Sequence, residues 1–254
     1  MQQDRKTTSS SWRVRRQLPE WPAIVEALRR DGGVEPSFRV HAMGSLFATG
    51  TTFRVDGLDA AGGRRSWLLK RSPYAALEAA ALQRLERKLA ATRLLGTVPR
   101  WVAQPTPTLL ITDFQRGLDN LAEVLLRARL RPTLRLGRAC FVAATRLGRW
   151  LGELQSACFE GERAPLGSWL DVEPRLAELV NQGVLVSRVA DALGHLVAQA
   201  EPVPMLMAHG DFAPRNVLFD ASRIHVIDWE MVPNVAAPFL FDVHHCSLLL
   251  RRSR

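Results

Sequence analysis

The spacing of apolar residues changes along the chain, and each change predicts a different element. The stretch Trp21 to Arg30, with Pro22 near its start, predicts one short helix. From Phe38 to Lys70 the pattern shortens into β-like runs, Thr51-Thr52-Phe53-Arg54-Val55 and Trp67-Leu68-Leu69-Lys70. Turns are expected between them at Asp56-Gly57 and Ala61-Gly62-Gly63, so this region predicts a small antiparallel sheet. Leu77, Ala81, Leu82, Leu85 and Leu89 then recur at three- and four-residue spacing, which predicts a helix over Glu78 to Leu95 ended by Val98-Pro99. A strand is predicted at Thr108 to Thr112, after a turn at Gln104-Pro105-Thr106-Pro107. Asp113 to Gly117 reads as a connector.

From Asn120 to Gln199 the pattern is mostly helical, with Arg138 to Ala157 and Pro174 to Ala200 as long helices and Pro202 and Pro204 as their close. Two short β-like runs come last, Asn216 to Phe219 and Arg223 to Ile227, joined by Asp220-Ala221-Ser222 at hairpin spacing. A sheet, then helices, then a hairpin predicts an α+β fold with two lobes: a small antiparallel-sheet lobe and a larger, mostly helical one. The expected divisions are a basic polar extension with a short helix over 1–36, an N-terminal lobe over 37–115 and a C-terminal lobe over 116–254. No repeat and no low-complexity segment interrupts this order.

Composition narrows the picture. With 254 residues, 47% of them hydrophobic, the chain can bury a core, and disorder throughout is excluded. No apolar run reaches the roughly 18 residues of a membrane span; Leu240 to Leu250 is interrupted by Asp242, His244 and His245. The net charge of +9 favours anionic partners, whether nucleotides, phosphorylated sugars, acidic lipid head groups or nucleic acid. Neither zinc-finger spacing nor an RNA-binding aromatic signature accompanies it, so no nucleic-acid partner is expected. Cys140, Cys158 and Cys246 form no C-x-x-C pair and read as small core hydrophobes in a reducing, cytoplasmic protein. The first twenty residues, with Arg13, Arg15 and Arg16, have no apolar signal core and read as a solvated tail, with a transit peptide, equally rich in Arg, Ser and Thr, as the alternative.

One segment carries chemistry. His209-Gly210-Asp211-Phe212-Ala213-Pro214-Arg215-Asn216 leads into Val217-Leu218-Phe219, and the next strand ends in Val226-Ile227-Asp228-Trp229-Glu230. Phosphoryl transfer asks a protein for a carboxylate facing the attacking hydroxyl and for oxygen ligands to the Mg²⁺ carried by the nucleotide phosphates. Asp211 has the chemistry for the first task, Asn216 and Asp228 for the second. A hairpin between them brings its two ends together. The competing reading makes Asp211 and Asp228 turn and cap residues flanking that hairpin.

This segment resembles the H-G-D-x-x-x-x-N catalytic loop and I-D-W/F-E metal site of the aminoglycoside phosphotransferase and choline kinase-like families, relatives of protein kinases. The resemblance implies a two-lobed, protein-kinase-like fold and a Mg²⁺-dependent kinase that moves the γ-phosphate of ATP to a small-molecule hydroxyl: a sugar, an amino alcohol or a polysaccharide precursor. It implies that Asp211 is the catalytic base, that Asn216 and Asp228 bind Mg²⁺, that His209 organises the loop and that Asp242, in Phe241-Asp242, braces it. Lys70 closes a strand-like run as the phosphate-binding lysine does in kinases. Glu78 opens the next helix as that lysine's partner, with Glu86 as runner-up. Met43-Gly44-Ser45 and Thr49-Gly50-Thr51 lie where a phosphate-covering loop belongs. The alternative is a nucleotide-binding, pseudokinase-like regulatory protein without turnover. Two features depart from the family pattern. Leu154-Gln155-Ser156 stands where relatives often show Leu-His, and the sequence ends at Arg254, where relatives carry more of the helix that shapes the acceptor pocket. His244-His245-Cys246 is too cramped for a zinc site.

Overall fold

A computed structural model of the chain describes residues 18–43, 51–167, 172–220, 222–229, 237–238 and 242. They fall into two compact units, Met1–Ala144 with Pro214–Met231, and Thr145–Ala213 with Val232–Arg254.

In the first unit, helix α1 (Trp21–Arg30) is followed by β1 (Gly33–Met43), β2 (Thr51–Asp59) and β3 (Arg64–Arg71). Helix α2 (Ala75–Leu89), a 3₁₀ turn (Leu95–Thr97), β4 (Trp101–Thr106) and β5 (Leu109–Asp113) come next. The strands form one antiparallel sheet in the order β1-β2-β3-β5-β4. Ile24, Ala27 and Leu28 of α1 pack onto Phe38, Phe53, Val55, Trp67, Leu69, Leu109 and Ile111, which supply one apolar face of the sheet. Strand residues alternate between faces, so the burial of Trp67 and Leu69 in that core turns Lys70 to the other side. There α2 buries Glu78, Leu82, Leu85 and Leu89.

Several local expectations are corrected here. Asp56-Gly57 is not a turn: β2 runs through it, Gly57 opposite Arg65. A β-carbon at Gly57 would stand 2.7 Å from the Phe38 ring, so the glycine makes room for the edge-to-face Phe38–Trp67 pair, whose centroids are 5.7 Å apart. The turn forms at Ala61-Gly62, where Gly62 has φ +80°. Gln104-Pro105 lies inside β4, which tolerates a proline because it is the sheet's edge strand. Helix α2 begins three residues before Glu78 and stops at Leu89, and Leu77 is exposed rather than part of the stripe.

The first unit continues with β6 (Asp119–Asn120) and α3 (Leu121–Leu130). It also holds a hairpin of β9 (Val217–Phe219) and β10 (Ile224–Val226), which pairs with β6 in the order β10-β9-β6. Asn120 ties these pieces together. Its side-chain oxygen accepts from the N–H groups of Ala122 and Glu123, capping α3, while its amide donates to the Arg215 carbonyl at 2.7 Å. Helix α4 (Leu134–Cys158) passes from the first unit into the second.

The second unit adds β7 (Phe159–Ala164), α5 (Val172–Asn181), α6 (Ser187–Gln199), β8 (Val203–Leu206) and β11 (Ala237–Pro238), with a small sheet ordered β11-β8-β7. The long helix expected over Pro174 to Ala200 is two helices. Gly183, at φ +70°, ends the first, its N–H bonded to the Val180 carbonyl. Strand β7 has no apolar alternation to announce it. Cys158 is buried and Cys140 half-buried; Cys246 lies outside the described residues.

Candidate active site

Lys70 leaves β3 opposite Thr52 on one side and Leu110 on the other, and its ammonium donates to two carboxylates. One is Glu78 in the first turn of α2, 2.9 Å away. The other is Asp228, from the segment after β10 and 158 positions along the chain. Glu86 is exposed on the same helix, so Glu78 is the glutamate that Lys70 meets. Glu78 uses its second oxygen as well, accepting the backbone N–H of Trp229 at 3.2 Å. Burial pushes the Glu78 carboxyl up, and the charge and hydrogen bond of Lys70 pull it back only in part.

Asp228 is the only non-glycine among the described residues with positive φ, at 70°. Aspartate tolerates this region better than most residues, though at a cost of order 1 kcal/mol or more. The surroundings fix the turn. Trp229 is fully buried, its indole donates to the Val226 carbonyl at 2.9 Å, and its N–H is held by Glu78. The left-handed residue thus sits between a strand and an anchored tryptophan, with its carboxylate directed at Lys70. On the other arm of the hairpin, the Asn216 carbonyl accepts the Ile227 N–H at 2.9 Å, and Asn216 is 3% exposed. The N–H groups of Ile227 and Trp229 therefore fix the backbone on both sides of Asp228.

The donors at Asn216 and Asp228 are an amide and a carboxylate oxygen, the hard ligands that Mg²⁺ prefers. No group of three or more His, Cys, Asp or Glu able to cage a metal occurs among the described residues.

The loop bearing Asp211 lies in the second unit. His209 and Asp242 are 0% and 1% exposed, and the Asp242 carboxylate accepts the N–H groups of His209, at 2.7 Å, and Gly210, at 3.2 Å. Gly210 takes φ +86°. The His209 ring nitrogen Nδ1 accepts the Asp211 N–H at 3.2 Å, which makes Nδ1 the unprotonated nitrogen. Phe212 stacks on Trp150 at 5.7 Å and meets the His209 ring edge-on. Asp211 is half-buried at the end of this brace. Glu230, Phe241, His244, His245, Cys246 and the glycine segments within 44–50 lie outside the described residues.

Two features had no anchor in the sequence. The bond from the Trp229 peptide to Glu78 is made by a backbone group, which leaves no residue signature. The second is an ion cluster around Asp31, whose partners Arg65, Trp67 and Arg100 lie 34 to 69 residues away.

Sheet, helix and hairpin, with a strand lysine bridged to a helix glutamate and to a loop aspartate, define a kinase-like α+β protein. The chain belongs to the phosphotransferase enzyme family, whose sequence model matches residues 47–251. No curated protein matches the chain. Among solved structures, glucosamine kinase in complex with glucosamine, ADP and inorganic phosphate aligns with a TM-score of 0.54 at 18% identity, over 92% of this chain and 64% of that one. The macrolide 2'-phosphotransferase of Brachybacterium faecium aligns at 0.52 with 19% identity, over 89% and 77%. A choline/ethanolamine kinase family protein from Mesorhizobium loti scores 0.49 at 18% identity, over 90% and 71%. At identities this low, the two alignments with TM-scores above 0.5 speak to the fold alone, that of the kinase-like phosphotransferases.

Proposed function

We propose that the protein transfers the γ-phosphoryl group of ATP to a hydroxyl of a small molecule. The observation that supports this best is Lys70, shared between Glu78 and Asp228, two carboxylates distant in sequence. Lys70 would steady the α- and β-phosphates, and Glu78 would keep it extended. Asn216 and Asp228 would hold Mg²⁺, which, when bound, offsets phosphate charge. Asp211 would orient the acceptor hydroxyl and take its proton. The nucleotide would sit in the 37–115 lobe and the acceptor in the 116–254 lobe. An amino sugar, a macrolide sugar or an amino alcohol belongs in the first acceptor panel, with polysaccharide precursors in the second.

The test is Mg²⁺-dependent ADP release across that panel. Asp211→Asn keeps the side-chain size and removes its charge. Turnover should fall by roughly a hundred- to ten-thousand-fold while ATP affinity changes little. Full activity in Asp211→Asn removes it as the base. In the same preparation, Mg²⁺ and ATP together should raise the melting temperature, and Asp228→Ala should abolish the rise. A wild type that gains this stabilisation yet turns over no acceptor is the pseudokinase-like regulatory protein instead.

A further inference from the structure

Between Glu123 and Glu153 the sequence contains no acidic residue, yet Arg127, Arg129, Arg131, Arg135 and Arg138 follow one another there. All five are exposed, at the corner where α3 ends and α4 begins. The same corner exposes large apolar side chains: Leu126 at 50%, Leu130 at 70%, Leu134 at 93% and Phe141 at 72%. On α3, Leu126, Arg129 and Leu130 share one face at spacings of three and four, while Leu121 and Val124 are buried. On α4, Leu134, Arg138 and Phe141 share one face in the same way, and Ala143 is buried. Chain reach limits the Cα atoms of Leu130 and Leu134 to about 14 Å apart. Each helix therefore offers solvent a face on which arginines alternate with leucine or phenylalanine.

We propose that this corner docks the protein on an anionic lipid bilayer, its leucines and Phe141 entering the head-group boundary and its arginines meeting lipid phosphates and carboxylates. Basic residues attract such a surface, and apolar tips gain only where hydrocarbon is within reach. That second requirement separates a bilayer from nucleic acid, whose phosphate backbone gives Leu130 and Leu134 nothing to enter. Like charge sets this face against a second copy of itself. None of these residues takes part in the phosphotransferase reading, so the two stand or fall separately.

Co-sedimentation with vesicles tests it, using the full chain. Wild type should pellet with phosphatidylserine-containing vesicles and not with pure phosphatidylcholine, and added salt should weaken binding. Each arginine is worth roughly fivefold in partitioning, so Arg135→Ala with Arg138→Ala should weaken it roughly 25-fold. Leu134→Ser with Phe141→Ser should weaken it at least tenfold and remove whatever binding survives high salt. All four side chains are exposed, so the melting temperature should not move; should a double variant prove unstable, the single variants carry the comparison. The proposal is overturned by a wild type that ignores both vesicles. Arginine variants that bind like wild type, or Leu134→Ser with Phe141→Ser binding unchanged, overturn it equally. So does RNA that strips the protein from vesicles, which makes nucleic acid the partner, or a dimer in solution that Leu134→Ser dissolves, which makes it a second copy.

Discussion

Strand β3 carries two ion clusters, one on each face, and they are built to opposite rules. On the α1 side, one carboxylate faces an excess of donors. Asp31 takes a two-pronged pair from Arg100 at 2.8 and 2.9 Å, the Trp67 indole N–H at 2.8 Å and the Arg65 guanidinium at 3.2 Å. Burial alone would raise the Asp31 carboxyl, but the hydrogen bonds from Arg100 and Trp67 and the charges of Arg100 and Arg65 together outweigh it and hold it below the ordinary range. On the α2 side, one cation faces an excess of carboxylates, Glu78 and Asp228. At Asp31 the carboxylate is fully engaged, and what remains is positive charge, two guanidiniums to one carboxylate. The Lys70 cluster keeps a surplus negative charge, and Asp228, with 29% of its side chain exposed, can present it to an incoming cation. Two ion networks a few residues apart on one strand thus differ in what they leave unmet, and the proposed division into a structural clamp and a phosphate site rests on that difference.

Within this comparison of the two clusters, the largest effect should come from Lys70. If the α2-side cluster serves phosphate, Lys70→Met should cut turnover by about a hundred- to a thousand-fold, equivalent to about 3–4 kcal/mol in the transition state. Its melting temperature should stay near wild type, because Glu78, already pushed toward its neutral form by burial, can take up a proton once the lysine is gone. A Lys70→Met protein that keeps its turnover, or one that unfolds, would make this cluster a clamp like the other.

Asp31→Ala should do the reverse. It leaves the guanidiniums of Arg65 and Arg100 and the Trp67 indole without their common acceptor. Hydrogen bonds to charged groups typically contribute about 1.5–3 kcal/mol, and the exposure of Arg100 places the expected loss near the lower figure. Urea unfolding reads this directly. The stabilisation from Mg²⁺ with ATP should be unchanged, and its disappearance in Asp31→Ala would join the two clusters into one site.

The sequence showed these two clusters unequally. The Lys70–Glu78 pair was legible from the place of each residue relative to strand and helix, and Asp228 from its place after the hairpin, while the contact between Lys70 and Asp228 was not. The Asp31 cluster was not legible. Its charged members are ordinary surface residue types, and the fold brings them to Trp67 from the residue after α1, from β3 and from the residue before β4, which no local spacing encodes. The same contrast holds for the fold. The α1 bounds and the β9–β10 hairpin followed from local pattern. Gly57 did not, because its role is to make room for two rings rather than to turn the chain. Nor did the backbone of Asp228, whose left-handed turn is imposed by Trp229 and Glu78 from outside.

The smallest effect is expected at His225, which lies at the edge of this comparison. It sits on β10 opposite Leu218, is 3% exposed, and its Nδ1 has no hydrogen-bond partner. Burial holds its imidazole below the ordinary 6.5, and Arg223 pushes the same way; Asp113 and the Gly96 backbone pull it back up only in part. Asp113 is itself occupied, accepting the Arg100 N–H and the Gln115 amide, so it is not free to pair with an imidazolium. The folded chain therefore keeps His225 neutral at a pH where the unfolded chain has begun to protonate it. A depressed folded value gives stability that is fully present above pH 6.5 and is lost as the pH falls toward the folded value, because only the unfolded state gains the proton. The slope from one such group cannot exceed about 1.4 kcal/mol per pH unit. His225→Gln keeps a polar side chain of similar size and removes the titration. Any fixed cost of the substitution shifts its stability at every pH, whereas loss of the proton-linked contribution changes only the slope below pH 6.5. Urea unfolding of wild type and His225→Gln between pH 7.5 and 5 should therefore give curves that run parallel above 6.5 and converge below it. Curves that stay parallel throughout would assign the acid sensitivity to some other group.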